Sequence, residues 1–488
     1  MPGSTNTSKW KRFRPKLREV RFVLQLGTET NPLRVAIIGS GPAAFYAVEA
    51  LFKQTNLVVQ IDMFDRLPTP YGLVRYGVAP DHPKIKSVTK VYEKLAANPR
   101  LRFFGNVEFG KHVCLSDLRE HYHQILYATG AQTDRRMGIP GEDLKGSHPA
   151  TEFVAWYNGH PDYRDYAFDL SAERVAVVGI GNVAIDVARI LCRTPKELET
   201  TDIADYALEA LRKSRVKEVY LLGRRGPAQA AFTNPEIKEV GEMADADVFT
   251  LPAETQLDEL AQAAVDSDAD PAVRKKVEIL QGYALPSPTG KSRRLFIRFL
   301  ISPVELIGDA SGRVAKMRLV RNVLVKSETG TLSAKATDKT EELEIGLVFR
   351  SVGYRGVVLP DVPFNDRWGV ILNEEERVID PNSKLPRVGE YTAGWIKRGP
   401  SGVIGTNKPD SAATVNAMLE DLRQGLTLQP ARPDLASAEH LVCSRQPKVI
   451  TFADWLKLDQ IEVANGAKLG RPRLKITRVE DMLKALGG

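Results

Sequence analysis

The sequence predicts an α/β fold of two Rossmann-like units, the second inserted into the first. Three observations predict it. An apolar strand, a glycine-rich turn, a helix and another strand follow one another twice. The two turns begin at Gly39 and Gly179, 140 residues apart, which is too far for one unit. Strand and helix patterns then continue beyond the second copy, enough to complete a first unit that the second interrupts.

In chain order, Arg34-Val35-Ala36-Ile37-Ile38 has the unbroken apolar character of a parallel strand buried on both faces. Gly39-Ser40-Gly41-Pro42-Ala43-Ala44 turns into a helix over 42–54, and 57–64 reads as the next strand. The series recurs as a strand over 174–178, the turn Gly179-Ile180-Gly181-Asn182-Val183-Ala184, a helix over 182–193 and a strand over 218–222. Each series is a βαβ unit. Residues 124–129, 347–352 and 390–394 read as further strands. Residues 241–285, rich in Asp, Glu, Ala and Lys, read as helical elaboration, while 295–307 and 314–325 alternate like strands. Helical periodicity returns over 411–422 and 478–486. The resulting layout is an extension over 1–32, a first unit over 33–134 and 345–488, and an inserted unit over 135–344. The segment after Gly425 carries no motif.

A chain of 488 residues suits two or three domains, and 43% hydrophobic with 26% charged residues is a globular balance. No run approaches the roughly 20 apolar residues that span a bilayer. Cys114, Cys192 and Cys443 form no CxxC pair, zinc pattern or iron–sulfur ligand set, and so sparse a count suits a reducing compartment. The net charge of +7 is concentrated at one end. Eight of the 68 Lys and Arg, but two of the 61 Asp and Glu, fall within residues 1–34. The remainder is near neutral, so net charge gives no reason to expect nucleic acid as a partner. The basic end is short of acids like an organelle transit peptide, but Pro15 interrupts any amphipathic helix there. A solvated basic arm or a small added strand is the expectation, with a cytoplasmic location and the mitochondrial matrix as alternative.

Each glycine of the first turn has a separate task. Gly39 permits the tight turn, Gly41 lets a pyrophosphate approach the backbone, and the small Ala44 lets helix and strand pack closely. The diphosphate then meets the free N–H groups and positive end of the helix. Asp65, at the end of the second strand, is placed to bind ribose hydroxyls, with Asp62 as the second choice. Residues 66–83 form a loop dense in Pro and Gly, in which His82 between Asp81 and Pro83 is a candidate proton carrier. Gly179, Gly181 and Ala184 repeat the phosphate-cradle logic. The following strand ends in Gly223-Arg224-Arg225, where an acid would favour NAD; two arginines favour the 2′-phosphate of NADP. The gap from Gly179 to Arg224 is 45 residues, so 194–215 must be an inserted excursion. Two such sites in one chain imply two nucleotides held together, most economically a flavin and the nicotinamide that reduces it.

The segments 39–46, 72–83 (GLVRYGVAPDHP), 127–131 (YATGA), 179–189 (GIGNVAIDVAR), 223–233 (GRRGPAQAAFT), 351–356 (SVGYRG) and 394–407 (GWIKRGPSGVIGTN) closely resemble the NADPH:adrenodoxin oxidoreductase family. That family includes bacterial ferredoxin–NADP reductases of the same type, and the likeness covers about residues 33–425. It implies FAD in a discontinuous domain and NADP(H) in an inserted one. FAD is then expected against Ala43, Asp65, Leu73, Val113, Trp395 and the backbone of Gly402-Val403-Ile404. NADP is expected against Gly181-Asn182-Val183, Arg224, Arg225, Glu236 and Gly402. By the same resemblance, His82 and Glu236 form a pair near the flavin that handles protons and positions the nicotinamide. Residues 1–32 and Asn234-Pro235 depart from the family pattern.

The activity so implied is a ferredoxin–NADP reductase. Hydride passes from NADPH to the flavin, and single electrons pass on to a small acidic iron–sulfur protein of ferredoxin or adrenodoxin type. Lys397 and Arg398, with Arg75, are candidates for the cationic surface that docks it. Disulfide reduction is excluded by the missing dithiol. The alternatives are an NADPH-dependent flavin oxidase or monooxygenase, with O2 as acceptor, and a non-catalytic dinucleotide redox sensor.

Overall fold

The computed structural model describes residues 26–268, 270–284, 287–327 and 331–487. The basic arm, up to residue 25, lies outside the described residues.

Strand Leu33–Ile38 is buried along its whole length and sits inside a seven-stranded sheet. Leu33, Val35 and Ile37 join the core on one face, with Val48 and Leu51 of helix Pro42–Phe52 and Val415 and Met418 of helix Asn407–Arg423. Ala36 and Ile38 face the other way, toward Val113 and Leu118. Burial on both faces explains why the strand shows no polar alternation. Across this sheet run Asn373–Glu374, Arg377–Ile379, Pro386–Thr392, Gln124–Tyr127, Leu33–Ile38, Val59–Phe64 and Leu101–Phe104. The last five are parallel, and the first two close one edge as antiparallel strands.

A six-stranded parallel sheet forms the second unit, in the order Ser147–Pro149, Leu347–Arg350, Arg174–Val178, Glu218–Leu222, Arg293–Arg298 and Ala246–Thr250. Helices Ala150–Tyr157 and Asn182–Cys192 cover one face through Phe153, Ile185 and Ile190. A three-stranded antiparallel sheet, Ile301–Gly308, Val314–Lys326 and Leu332–Glu344, covers the other, with Ile301, Met317 and Leu319 against Ala176, Val178 and Val348. The stretch 295–307, expected as one strand, is therefore divided between two sheets, and Leu300 at φ +54° makes the turn between them. Helices Pro195–Leu198 and Asp205–Arg212 form the excursion that separates Gly179 from Arg224.

The chain leaves the first unit at Thr133–Asp134 and returns at Tyr354–Arg355, and these two segments pair as one antiparallel ribbon. The expected return near residue 345 is too early. Leu347, Val348 and Phe349 are fully buried, and their strand fills the place between Ser147–Pro149 and Arg174–Val178 in the second sheet. The motif-poor end of the chain forms helices Leu435–Arg445, Phe452–Ala467 and Val479–Ala485. Trp455, Leu458 and Met482 carry the last two into the core of the first unit. Among the described residues no helix is long and apolar enough to cross a membrane.

Candidate functional site

Both glycine turns lie at the carboxyl ends of parallel strands, where open α/β sheets take their ligands. At the first, Gly39 has φ +102°, and a Cβ there would stand 2.5 Å from the Ala128 carbonyl oxygen. Gly41 is different: a Cβ built on it meets nothing within 4 Å. It precedes helix Pro42–Phe52, whose first turn has no side-chain cap. Free N–H groups thus face open space, the arrangement that receives a diphosphate. The turn is braced by Asp65, whose Oδ2 accepts from the Ser40 N–H (3.1 Å) and hydroxyl (2.5 Å), while Oδ1 accepts from the Leu67 N–H (3.0 Å). Burial pushes the Asp65 carboxyl above its ordinary value. Asp62, the second choice, is committed to structure. It is fully buried, with Arg34, Arg102 and Tyr122 each within 2.7 Å of its carboxylate.

Other expected contacts gather around this turn. Leu73 opens the short helix Leu73–Tyr76, directly after Gly72, whose built Cβ would lie 3.1 Å from the Gly41 Cα. Gly394, at φ +78°, approaches so closely that its Cβ would lie 2.6 Å from that of Ala43. This starts helix Trp395–Arg398 against the first glycine turn, with the Trp395 indole donating to the Ser401 carbonyl (3.2 Å). Gly402 and Val403 follow, the Val403 N–H donating to the Thr406 hydroxyl (2.7 Å), and Ile404 begins the turn into helix Asn407–Arg423. Val113 lies buried behind the sheet with Ile38 and Phe64.

The second turn repeats the geometry. Gly179 has φ +134°, and a Cβ would stand 2.2 Å from the Ser351 carbonyl oxygen, whereas one on Gly181 meets nothing within 4 Å. Asn182 accepts the Thr233 N–H (3.0 Å), and Val183 packs on the core beside it, tying the turn to the segment after the arginines. Arg224 is exposed and Arg225 half-buried. Neither forms an ion pair among the described residues, and burial with the adjacent Arg224 pushes the Arg225 guanidinium down. Two unneutralised guanidinium groups beside an open phosphate cradle fit a nucleotide carrying an additional phosphate.

Between the turns, the Asp81-His82 loop of the first unit enters the second. His82 Nε2 donates to Glu239 (2.9 Å); Glu236, the partner expected, stands 3.7 Å away and Asp186 4.0 Å from Nδ1. Glu236 is instead held by Arg189 (3.2 Å), a fully buried residue that also binds Asp81 (2.6 Å) and Asp186 (2.7 Å). Arg193 joins Asp81 (2.6 Å) to Glu239 (3.0 Å). Burial is the largest single influence on the His82 imidazole and pushes it down, but the Glu239 hydrogen bond, together with the nearby Asp186 and Glu236 carboxylates, holds the group above its ordinary value. Burial opposes ionisation of Asp81 too, yet Arg189 lowers its carboxyl to about 2, while burial raises Asp186 to about 6. Pro235 does not disturb this arrangement. It occupies the first turn of helix Asn234–Val240, where a missing N–H costs nothing.

The expected docking cations are placed otherwise than foreseen. Arg75 is buried in a bidentate pair with Glu462 (2.6 and 2.9 Å). Lys397 and Arg398 are both paired with Asp410, at 2.8 and 3.3 Å. Positive residues beside a site are as readily spent on neighbouring carboxylates as on a partner, and sequence spacing does not distinguish the two. The three cysteines are free, and burial raises the Cys192 thiol to about 12.

The family described as pyridine nucleotide-disulphide oxidoreductase matches residues 33–237. The chain is 46% identical to NADPH-ferredoxin reductase FprA of Mycobacterium tuberculosis, over 93% of this chain and 99% of that protein. It is 39% identical to the mitochondrial NADPH:adrenodoxin oxidoreductase of Homo sapiens, over 98% of each. Among solved structures, Mycobacterium tuberculosis FprA in complex with NADPH superposes with a TM-score of 0.88 at 45% identity, covering 94% of this chain and 100% of that one.

Proposed function

Because the chain belongs to the family of NADPH-ferredoxin and NADPH:adrenodoxin reductases, we propose that it transfers electrons from NADPH, through FAD, to a small iron–sulfur protein of ferredoxin or adrenodoxin type. The observation that carries this reading is the pair of open glycine turns, only the second of which is followed by two unpaired arginines. FAD belongs on the first turn and NADP(H) on the second. When bound, FAD supplies the chemistry of taking hydride as a pair of electrons and releasing them singly.

The chain supplies positioning and electrostatics. The N–H groups after Gly41 and Gly181 hold the diphosphates, and Asp65 stands at the ribose end of the first site. Arg224 and Arg225 select the 2′-phosphate. The first unit offers Trp395 and the 402–404 backbone, brought to the first turn by the Gly394–Ala43 approach, as the residues that would hold the flavin for hydride transfer from a bound nicotinamide. His82 keeps a proton at Nε2 through Glu239, in the seam joining the units. Glu236, fixed by Arg189, is a second carboxylate 3.7 Å from that atom, beyond hydrogen-bond distance.

The test is NADPH-driven cytochrome c reduction by the purified protein, with and without added ferredoxin. A large ferredoxin-dependent rate is expected. Rapid NADPH oxidation that depends on O2 and ignores ferredoxin would replace this reading with a flavin oxidase.

A further inference from the structure

The segment without motifs is the one that grips the flavin-side loop. Tyr71 has φ +85°, a conformation that non-glycine residues adopt only when their surroundings enforce it, and Gly72 follows at φ +50°. This corner rests on the first glycine turn through the Tyr71 N–H, which donates to the Ser40 carbonyl (3.0 Å), and through the Gly72–Gly41 approach. Further support comes from nearly 400 residues along the chain, in helix Phe452–Ala467. The Trp455 indole donates to the Tyr71 hydroxyl (3.3 Å) and meets its ring edge to face at 5.8 Å. One face of the same indole carries the Arg75 guanidinium at 4.9 Å. Glu462 chelates that guanidinium with both oxygens and also accepts the Ile476 N–H (2.8 Å). Lys475 completes the grip by donating to the Arg75 carbonyl (3.2 Å). Arg75, Trp455, Glu462 and Lys475 are all buried.

We propose that helix Phe452–Ala467 is a working part of the flavin site, with Trp455 and Glu462 as positioning residues that hold the Tyr71–Gly72 corner and the loop to Tyr76 against the first glycine turn. The inference rests on the reading that FAD occupies that turn. Neither residue touches the phosphate cradle; each acts through Tyr71 or Arg75. A buried charge pair bound at both ends fixes its partner in one geometry, and Trp455 adds its bond and ring to the Phe45 and Tyr92 rings that pack on the strained Tyr71.

The test compares flavin release from the holoprotein of Trp455→Phe, which keeps the ring but removes the indole N–H, and Glu462→Gln, which removes the charge. Flavin fluorescence on dilution gives the FAD dissociation constant, calorimetry gives NADP+ affinity, and far-UV circular dichroism reports the fold. The expected result is FAD affinity weakened about tenfold in both variants, with NADP+ affinity changed by less than about twofold. If Glu462→Gln fails to fold, Trp455→Phe decides alone. Wild-type FAD affinity in folded Trp455→Phe overturns the inference, and so does a parallel loss of FAD and NADP+ binding. Gly41→Val serves as control. Undiminished FAD binding in that variant shows the flavin to lie elsewhere and removes the premise itself.

Discussion

At His82, burial pulls the imidazole down and three carboxylates pull it up, Glu239 at 2.9 Å first among them, with Asp186 and Glu236 behind it. A histidine whose pKa is raised by folding stabilises the fold fully below its unfolded value and loses that contribution as pH rises through the folded one. Glu239→Gln is therefore expected to lower the His82 pKa, as followed by NMR of the imidazole protons; an unchanged titration would show that Glu236 or Asp186 governs it. The sequence makes His82 visible through its loop, but Glu239 lies 157 residues away, and only the fold brings it within reach. The second prediction concerns Arg224 and Arg225. Each charge-assisted bond is worth about 1.5–3 kcal/mol. Replacing both with Ala is expected to raise the KM for NADPH about a hundredfold while moving that for NADH little. Equal losses for both nucleotides would remove the 2′-phosphate assignment. These arginines were readable because their meaning depends on a short motif at the end of one strand.

At the scale of the element, the two glycines of the first turn separate folding from binding. Gly39→Ala places a methyl 2.5 Å from a backbone oxygen in a left-handed conformation, so it is expected to lower Tm whether or not flavin is present. At Gly41 an added Cβ meets no protein atom within 4 Å, and Gly41→Val is expected to preserve the fold of the flavin-free protein while abolishing flavin retention. Thermal melts with and without added FAD distinguish the two, and a flavin-free Gly41→Val protein that melts as early as Gly39→Ala would contradict the assignment. The βαβ units were legible because their strands are apolar on both faces and their turns need glycine. The sequence marks Leu347–Arg350 as a strand but not the unit it belongs to, since four buried residues read alike in either sheet. Strand Leu332–Glu344 was not anticipated: Lys335, Asp338, Lys339, Glu341 and Glu342 leave it without an apolar face, and its pairing with Val314–Lys326 holds it in place.

In the whole molecule, the units are joined by buried charges as well as by the two-stranded ribbon. Asp81 reaches Arg189 and Arg193, Lys86 reaches Asp202 (2.6 Å), and Lys475 binds both Asp202 (3.2 Å) and the Asn158 carbonyl (3.1 Å). Arg471 adds hydrogen bonds to the Thr201 and Ile203 carbonyls. None of these pairings is visible in sequence, because each joins segments whose separation is set by the insertion. The acids concerned are shifted in the same direction. Burial works against ionisation of Asp81 and Asp202, yet Arg189 and Arg193 hold the first down to about 2 from 3.8, and Lys475 and Lys86 hold the second lower still. Groups depressed in the folded state stabilise it above the unfolded carboxylate value and lose that contribution as pH falls through the folded one. For Asp81 this amounts to roughly 2 kcal/mol. The seam is therefore expected to weaken below about pH 4, with hydrogen exchange rising at 79–83 and 471–478 before it rises in either sheet. Asp202→Asn should reproduce the effect at neutral pH, at a cost of about 3–5 kcal/mol, because it leaves the Lys86 and Lys475 ammonium groups buried without their counter-charge. A urea midpoint equal to that of the wild type would mean that the ribbon and apolar packing alone hold the units together. A lowered midpoint, with exchange faster only along the seam, would identify these charges as what fixes the two nucleotide sites in one relative position.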